Sequence, residues 1–335
     1  MADPLVATVV IVNYLGRGRL GRCLDAIARA VCATPFEVLV VDNASDDGSW
    51  DEAEGRPGVR VLKNDENVGF GRACNQAARE AAGRHLVFLN FDCEPHDGWL
   101  DALVQAADDD PSAGAVQAVI LQQDGTVNTA GNELHYLGFS WAPHAQTPPT
   151  GPPFEVTVGS GAGLLVPRAC FEHVGGFWEA MFLYCEDTDL SWRLRLAGYR
   201  VLTAPGAQVQ HEYEFGRNTD KFFHLERNRL LMVAANYERA TLLALMPGLV
   251  ATELALVAVA VRGGWGRRKL EADISALRAW RAVRAQRAHV ALLRRVPDRE
   301  IAVRFARRLG PEFGEGVARA SAGLLSAYAR VARLS

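Results

Sequence analysis

Three acidic residues lie close together in the middle of the chain, at Glu186, Asp187 and Asp189. Leu190 and Leu194 follow at helical spacing, so the acids are predicted to lie at the start of a helix. The free N–H groups and the dipole at a helix start favour negative charge. Such carboxylates can cap the helix. A carboxylate beside a substrate hydroxyl can instead act as a general base.

Other polar side chains stand at the ends of apolar runs that are typical of buried strands. Asn13, Asp42 and Asn90 follow three such runs, Asp92 comes two residues later, and His211 ends another run. In open α/β sheets, ligands bind at the carboxyl ends of the strands, so these residues are candidates for a site. A carboxylate and an imidazole, completed by phosphate oxygens, suit Mg²⁺ or Mn²⁺ better than a closed zinc site.

The elements that must position these residues can be predicted from the apolar pattern. Continuous apolar runs predict strands at residues 6–12, 36–41, 59–62, 85–89 and 115–121. Helical repeats lie between them. This alternation predicts an α/β fold, Rossmann-like, with a mostly parallel central sheet flanked by helices.

The middle of the chain has a less regular pattern. Residues 122–153 are polar and proline-rich towards their end, and they are predicted to form a mobile loop over the site. Residues 154–167 are predicted to form a strand with Gly161 inside it, where glycine indicates close approach by a ligand. Short strands are predicted at residues 199–202 and 207–211, and a helix follows at residues 220–237.

A second interpretation starts from Gly16, Gly18 and Gly21, which satisfy the G-x-G-x-x-G pattern after the first strand. With Asp42 as the acid that binds ribose, these glycines would predict an NAD(P)-dependent oxidoreductase. Three residues separate the strand from Gly16, which misplaces the tight turn, and a dehydrogenase gives no role to the later acidic residues. The oxidoreductase is therefore the less favoured alternative.

Taken in order, the motifs resemble those of inverting family 2 glycosyltransferases of GT-A fold, most closely the bacterial rhamnosyltransferase-like branch. The resemblance covers about residues 5–235. The motifs are residues 10–14 (VIVNY), 40–49 (VVDNASDDGS), 67–71 (NVGFG) with Ala73 and Asn75, 88–92 (FLNFD), 175–177 (GGF), 184–190 (YCEDTDL) with Arg193 and 198–200 (GYR), and 209–211 (VQH).

The resemblance implies roles for individual residues. It assigns nucleotide binding to Asn13, Asp42, Asn67, Asn75 and Asn90, with Asp42 bonded to the base of a nucleotide sugar. Asp92 occupies the last position of the family's D-x-D metal motif, and His211 occupies the position of its metal-binding histidine. A divalent cofactor, Mg²⁺ or Mn²⁺, is therefore implied.

For the reaction, the resemblance implies that Asp187 is the catalytic base and that Glu186 assists it and contacts the acceptor. Gly161 and Trp178 would border the donor sugar and the acceptor. A sugar such as rhamnose would move, with inversion, from a dTDP- or UDP-sugar to a hydroxyl of a glycan or lipid-linked saccharide. A non-catalytic protein that binds nucleotide sugars is a further alternative.

The sequence changes character near residue 238. A GT-A domain is predicted for residues 1–238 and a helical C-terminal region for residues 239–335. Residues 240–261 contain one charge, Glu253, and Pro247 and Gly248 favour two shorter apolar helices over a membrane span. Residues 267–296 and 298–309 are predicted to be helical and are rich in arginine.

Charge and cysteine usage suggest partners and a compartment. From Arg262 onward there are 17 basic and 6 acidic residues, against 19 and 33 before it. Basic helices next to apolar ones suggest attachment to an anionic membrane surface, or simply a solvated face, and the C-terminal helices are also candidates for a homodimer contact. The acidic body argues against nucleic-acid binding. Six scattered cysteines and the lack of an apolar leader suggest a cytoplasmic protein, peripheral on the inner face of the cell membrane.

Overall fold

The computed structural model describes residues 5–212 and 220–310, together with Leu325 and Tyr328. Its strands are β1 (Ala7–Asn13), β2 (Phe36–Asp42), β3 (Val59–Lys63), β4 (His85–Asn90), β5 (Cys93–Pro95), β6 (Ala113–Leu121), β7 (Val127–Thr129), β8 (Glu133–Leu134), β9 (Ser140–Trp141), β10 (Phe154–Glu155), β11 (Gly163–Pro167) and β12 (Arg200–His211). Its helices are α1 (Arg19–Arg29), α2 (Phe70–Glu80), α3 (Trp99–Asp109), α4 (Arg168–His173), α5 (Glu186–Leu196), α6 (Lys221–Asn236), α7 (Arg239–Arg262), α8 (Gly266–Arg278), α9 (Trp280–Leu293) and α10 (Asp298–Ala302). The rest of the predicted C-terminal region lies outside the described residues.

A single sheet forms the centre of the fold. In it β3, β2, β1 and β4 lie side by side and run parallel. β11 is antiparallel between β4 and β6, and β12 runs parallel to β6. Every residue of β1 is buried, as expected for a β-branched strand covered on both faces. The predicted α/β fold with a mostly parallel central sheet is confirmed.

Some of the predicted strands and the predicted loop differ from the structure. The two short strands predicted at 199–202 and 207–211 are one strand, β12, because a register shift against β6 between Ala204 and Gln208 accommodates Pro205 and Gly206. The strand predicted at 154–167 is two short strands, β10 and β11. The loop predicted at 122–153 contains β7, β8 and β9, because backbone pairing such as that of Val127 with Ala145 outweighs its polar composition.

The chain divides into two compact units that interleave along the sequence. The first unit comprises residues 1–132, 142–182 and 199–214, and the second comprises residues 133–141, 183–198 and 215–335. The domain boundary predicted at residue 238 stays a prediction. In the second unit, Trp192 packs edge-on against Tyr237, whose hydroxyl donates to the Tyr136 carbonyl at 2.7 Å. These contacts attach the two short inserted segments to α6.

The apolar stretch predicted to form two helices is one helix, α7. Pro247 lies inside it and removes a backbone donor, which normally interrupts a helix. Here the Tyr328 hydroxyl accepts from the Gly248 N–H at 3.0 Å and donates to the Ala244 carbonyl at 2.7 Å. This hydroxyl bridges the two backbone groups that the helix would otherwise pair directly, so the helix continues.

The helix α7 is long and apolar enough, by length and composition alone, to cross a membrane. Among the described residues it alone meets that test. The basic helix predicted over residues 267–296 is two helices, α8 and α9, which meet at Ala279. The last predicted helix, 298–309, is shorter than expected and ends at Ala302.

A buried ionic network joins α6, α7 and α8. Lys269 is 1% exposed and its ammonium lies 2.9 Å from Glu226, 2.8 Å from Asp273 and in contact with Glu253. Arg229 contacts Glu226 at 3.0 Å and also contacts Glu253. Burial alone would lower the pKa of Lys269, but the surrounding carboxylates outweigh it and raise that pKa. The one charge inside α7 is therefore fully paired.

We expect Lys269→Ala to lower the free energy of unfolding by about 3–5 kcal/mol, because it leaves the buried Glu226 and the half-buried Glu253 and Asp273 without one of their cations. Arg278→Ala, on the exposed side of the same helix, should change it by no more than about 0.5 kcal/mol. Urea denaturation of both variants provides the comparison. Equal stability of the two variants would show that the network does not hold the second unit together.

Candidate functional site

The parallel register places three of the predicted site residues at one edge of the sheet. Asn13, the last residue of β1, pairs with Asp42, the last residue of β2. On the other side of β1, Val12 pairs with Asn90 at the end of β4. The strand order reverses at β1, and such a reversal is where open α/β sheets bind ligands.

Asn13 and Asp42 form a buried hydrogen-bonded pair. The Asn13 amide donates to Asp42 Oδ1 at 2.7 Å and to Ser49 Oγ at 2.7 Å, while Asp42 Oδ2 accepts from the Ser45 N–H at 3.1 Å. The Asn13 Oδ1 atom is buried and has no partner among the described residues. The pair thus fixes the turn after β2 and leaves one buried acceptor at the sheet edge. Ser45 and Ser49 belong to one of the motifs named above, but no sequence pattern indicates their contacts with Asn13 and Asp42.

The glycines that suggested a dinucleotide site have other functions. The Glu52 carboxylate accepts from the Gly18 N–H and from the Gly21 N–H, both at 2.7 Å. These N–H groups, at the start of α1, are the ones a pyrophosphate would need. A side chain at Gly16 would come within 2.3 Å of Asn13 Oδ1, so close packing explains this glycine. The oxidoreductase interpretation is therefore not supported.

Asp92 and His211 lie together beside the same edge. His211 Nε2 is 3.0 Å from Asp92 Oδ1 and 3.4 Å from the Asn90 amide nitrogen. The antiparallel pairing of β12 with β5 brings His211 opposite Cys93. Potential ligand atoms of Asp92, Cys93 and His211 all lie within 4.8 Å of one another. A carboxylate and an imidazole fit a hard or borderline divalent ion such as Mg²⁺ or Mn²⁺.

Cys93 is a poor ligand despite its position. Its thiol is fully buried and donates to the Ala162 carbonyl at 3.4 Å. Burial, together with the negative charge of Asp92, raises the pKa of this thiol well above its usual range. The thiolate that a metal needs is therefore disfavoured. Asp92 and His211 remain the donors that fit the ion.

Gly161 lies in the buried turn that leads into β11. The carbonyl of the next residue, Ala162, accepts from the Asn90 N–H at 3.4 Å. The turn therefore borders the end of β4, where Asn90 stands. Its predicted contact with the donor sugar stays a prediction.

Asn75 contacts the backbone of Phe177, and its predicted nucleotide binding stays a prediction. Its amide donates to the Phe177 carbonyl at 2.9 Å, and its oxygen accepts from the Phe177 N–H at 2.9 Å. Both polar atoms are used, so the side chain holds the segment that carries the half-buried Trp178. Asn67 accepts from the Gly69 N–H at 3.0 Å and shapes the loop before α2. The roles of Asn67 and Trp178 towards a ligand stay predictions.

The acidic stretch belongs to the second unit and begins α5, as predicted. The two residues before Glu186 have positive φ, 68° at both Tyr184 and Cys185, which non-glycine residues rarely adopt. The buried amide of Asn228 donates to the Leu183 and Tyr184 carbonyls, at 2.9 and 2.8 Å. Asn228, in an ordinary helical segment, gave no sequence signal for this role. Strained backbone held in this way is typical of functional segments.

The three acids of this stretch have different surroundings. Asp189 is buried and accepts from Arg193 Nε at 2.8 Å and from the Asn236 amide at 2.9 Å, which makes it structural. Asp187 is half-buried and its Oδ1 accepts from the Thr188 N–H at 2.6 Å. Burial, reinforced by the charge of Asp187, raises the pKa of Glu186 to about 8. Glu186 Oε2 has no partner among the described residues.

The structure thus brings five predicted residues together in the first unit: Asn13, Asp42, Asn90, Asp92 and His211. The predicted base, Asp187, and its neighbour Glu186 lie in the second unit. A buried acceptor, a carboxylate–imidazole pair and a neutral buried carboxyl are groups that can bind a nucleotide, a divalent ion and a polar substrate.

Comparison with solved structures identifies the fold. GalNAc-T7 in complex with UDP, GalNAc and Mn²⁺ superposes with a TM-score of 0.58 at 18% identity, over 75% of this chain and 52% of that chain. A mannosyltransferase from Pyrobaculum calidifontis in complex with GDP-Man and Mn²⁺ gives a TM-score of 0.51 at 21% identity, over 87% of both chains. The fold is that of the GT-A glycosyltransferases, with a helical C-terminal region.

Sequence comparison identifies the family. The profile described as Glycosyl transferase family 2 matches residues 8–175. An N-acetylglucosaminyl-diphospho-decaprenol L-rhamnosyltransferase of Mycobacterium tuberculosis is 34% identical over 248 residues, which is 66% of this chain and 80% of that protein. An O-antigen biosynthesis protein of Myxococcus xanthus is 33% identical over 63% of this chain and 18% of its own length. The chain therefore belongs to the family 2 glycosyltransferases.

Proposed function

We propose that this glycosyltransferase moves a sugar, with rhamnose as the first candidate, from a nucleoside diphosphate donor to a hydroxyl of a lipid-linked saccharide. The Asp92–His211 pair beside the buried Asn13–Asp42 pair is the observation that carries the proposal. The mycobacterial relative is named for rhamnosyl transfer to a lipid-linked diphosphate sugar, which supports this donor and acceptor class. A dTDP- or UDP-sugar is the proposed donor.

In this proposal the sheet edge holds the donor. Asp42 and the unpaired Asn13 Oδ1 face the pyrimidine base, with Asn67 and Asn90 nearby in the nucleotide pocket and Gly161 beside the sugar. Asp92 and His211 would hold Mg²⁺ or Mn²⁺. When bound, the ion supplies positive charge that stabilises the leaving diphosphate. The solved relatives with Mn²⁺ in their complexes are consistent with this assignment.

The transfer itself needs a base for the acceptor hydroxyl. Asp187 takes the hydroxyl proton while the acceptor oxygen forms a bond to the anomeric carbon. The bond from that carbon to the diphosphate oxygen breaks on the opposite side, so the configuration inverts and the nucleoside diphosphate leaves. Glu186, neutral at pH 7 because of its raised pKa, donates a hydrogen bond to the acceptor. Trp178 borders the acceptor.

The proposed cellular location follows from the donor and acceptor. In the proposed reaction the nucleotide-sugar donor comes from the cytoplasm. To reach a lipid-linked acceptor, the enzyme must have access to the inner face of the cell membrane. We therefore propose a cytoplasmic enzyme that is peripheral on that membrane.

We predict that Asp92→Asn weakens Mn²⁺ binding at least about tenfold and abolishes the Mn²⁺-dependent thermal stabilisation by dTDP- or UDP-sugars. The matched control is Cys93→Ser, which keeps a small polar group at the third member of the cluster and should bind Mn²⁺ like the wild type. Titration calorimetry and thermal-shift assays measure both effects. Wild-type-like Mn²⁺ binding by Asp92→Asn, or loss of binding in Cys93→Ser, would contradict the ligand assignment.

A second prediction concerns Glu186. In the folded protein, burial raises the pKa of this carboxyl from 4.5 to about 8. Its protonated form therefore contributes stability that is fully present below pH 4.5 and is lost as the pH rises through about 8. Glu186→Gln is neutral throughout, so its stability relative to the wild type should increase between pH 5 and pH 8.5. Urea denaturation at the two pH values measures this, with the exposed Glu172→Gln as control. A constant difference would show that Glu186 is already charged at neutral pH.

A further inference from the structure

An exposed apolar row runs along most of α7. Six large apolar side chains follow one another at spacings of three or four residues, which places them on one side of the helix. They are Leu243, Met246, Val250, Leu254, Val257 and Val261, and each is between 43% and 71% exposed. An exposed apolar row of this length marks an interaction surface.

The other side of α7 is fixed to the second unit. Leu245, Leu249 and Ala260 are buried there, and Glu253 contacts Arg229 and Lys269. A helix that crossed a bilayer would have to take Glu253 away from these two cations, both of which are buried. Breaking a buried network in this way is strongly unfavourable. The helix is therefore attached to the second unit along part of its surface, while the apolar row stays exposed.

Cations without acidic partners follow the apolar row in the sequence. Arg262 ends α7, and Arg278, Arg281 and Arg284 follow in the next two helices; all four are exposed. Within the described part of the chain, none of these four forms an ion pair with a carboxylate. The half-exposed Trp280 lies next to Arg281 and Arg284, whose guanidinium groups are 5.4 and 5.5 Å from its ring. Tryptophan and arginine are the residues that bilayer interfaces favour.

We propose that α7, with the arginines that follow it, docks on an anionic lipid surface. The helix lies in the plane of the headgroups, its apolar row reaches the acyl chains, and the arginines contact lipid phosphates. Anionic lipid supplies the acidic partners that these arginines lack, whereas a second copy of the same arginine-rich helices would not. The proposal rests on the peripheral location proposed above and names the surface responsible for it, and it can fail or hold independently of sugar transfer.

The test is flotation of the full chain with lipid vesicles in the absence of any sugar. Vesicles of phosphatidylcholine alone are compared with vesicles that also contain about 30% phosphatidylglycerol. The double variant Leu254→Gln/Val257→Gln removes two members of the row, and Arg281→Gln/Arg284→Gln removes charge. Val31→Gln is the matched control, because Val31 is a 70% exposed apolar residue of the first unit.

We expect the wild type and Val31→Gln to float with anionic vesicles and not with neutral ones. Each double variant should bind about tenfold or more weakly while its circular dichroism spectrum stays unchanged. Equal binding of the wild type and the Leu254→Gln/Val257→Gln variant would overturn the proposal. The proposal would also be overturned if the wild type does not bind vesicles but forms a dimer, and the Leu254→Gln/Val257→Gln variant is monomeric. In that case a second copy of the chain would cover the apolar row.

Discussion

The parallel register of β1 with β2 and β4 is the constraint on which the first unit depends. It brings the last residues of three strands to one edge, where Asn13 meets Asp42 and Asn90 lies one strand away. The backbone hydrogen bonds of a parallel ladder allow no slip of one residue without turning every side chain to the other face. A buried polar pair at the strand ends reinforces the same alignment, because displacing it would leave Asp42 buried and unpaired.

The second unit depends on a different kind of constraint. Its acidic stretch starts from two residues with positive φ, and the Asn228 amide holds that backbone in place. Asp189 is neutralised by Arg193, so its charge belongs to the structure. This leaves Glu186 and Asp187 as the acids available for chemistry, one buried and protonated near neutrality and the other half-buried. Their different surroundings account for the different roles proposed for them.

The sequence predicted the parts of the fold that rest on local pattern. The β-branched runs around Val9 and Val40 are continuous because both faces of those strands are buried, so the strands and the sheet edge could be predicted. The continuity of α7 could not be predicted, because the hydroxyl that bridges the break at Pro247 comes from Tyr328, distant in sequence. Long-range contacts of this kind leave no periodic signal.

The same distinction applies to the site. The types of Asp92 and His211 and their positions at strand ends were sufficient to pair them. The role of Asn75 was not predictable, because the sequence does not show that its amide is used by the Phe177 backbone. The contact of Asn228 with the acidic stretch was missed for the same reason, since the two are more than forty residues apart.

The proposed role of Asp187 as catalytic base can be tested directly. The most direct measurement is release of nucleoside diphosphate from dTDP-rhamnose and UDP-sugars by wild type and Asp187→Asn, with Mn²⁺ and a lipid-linked saccharide present. We expect turnover by the wild type, and in the variant a loss of about 10²–10⁴-fold with donor binding unchanged. Equal turnover by the two proteins would contradict it, as would a wild type that binds donor without ever releasing the diphosphate.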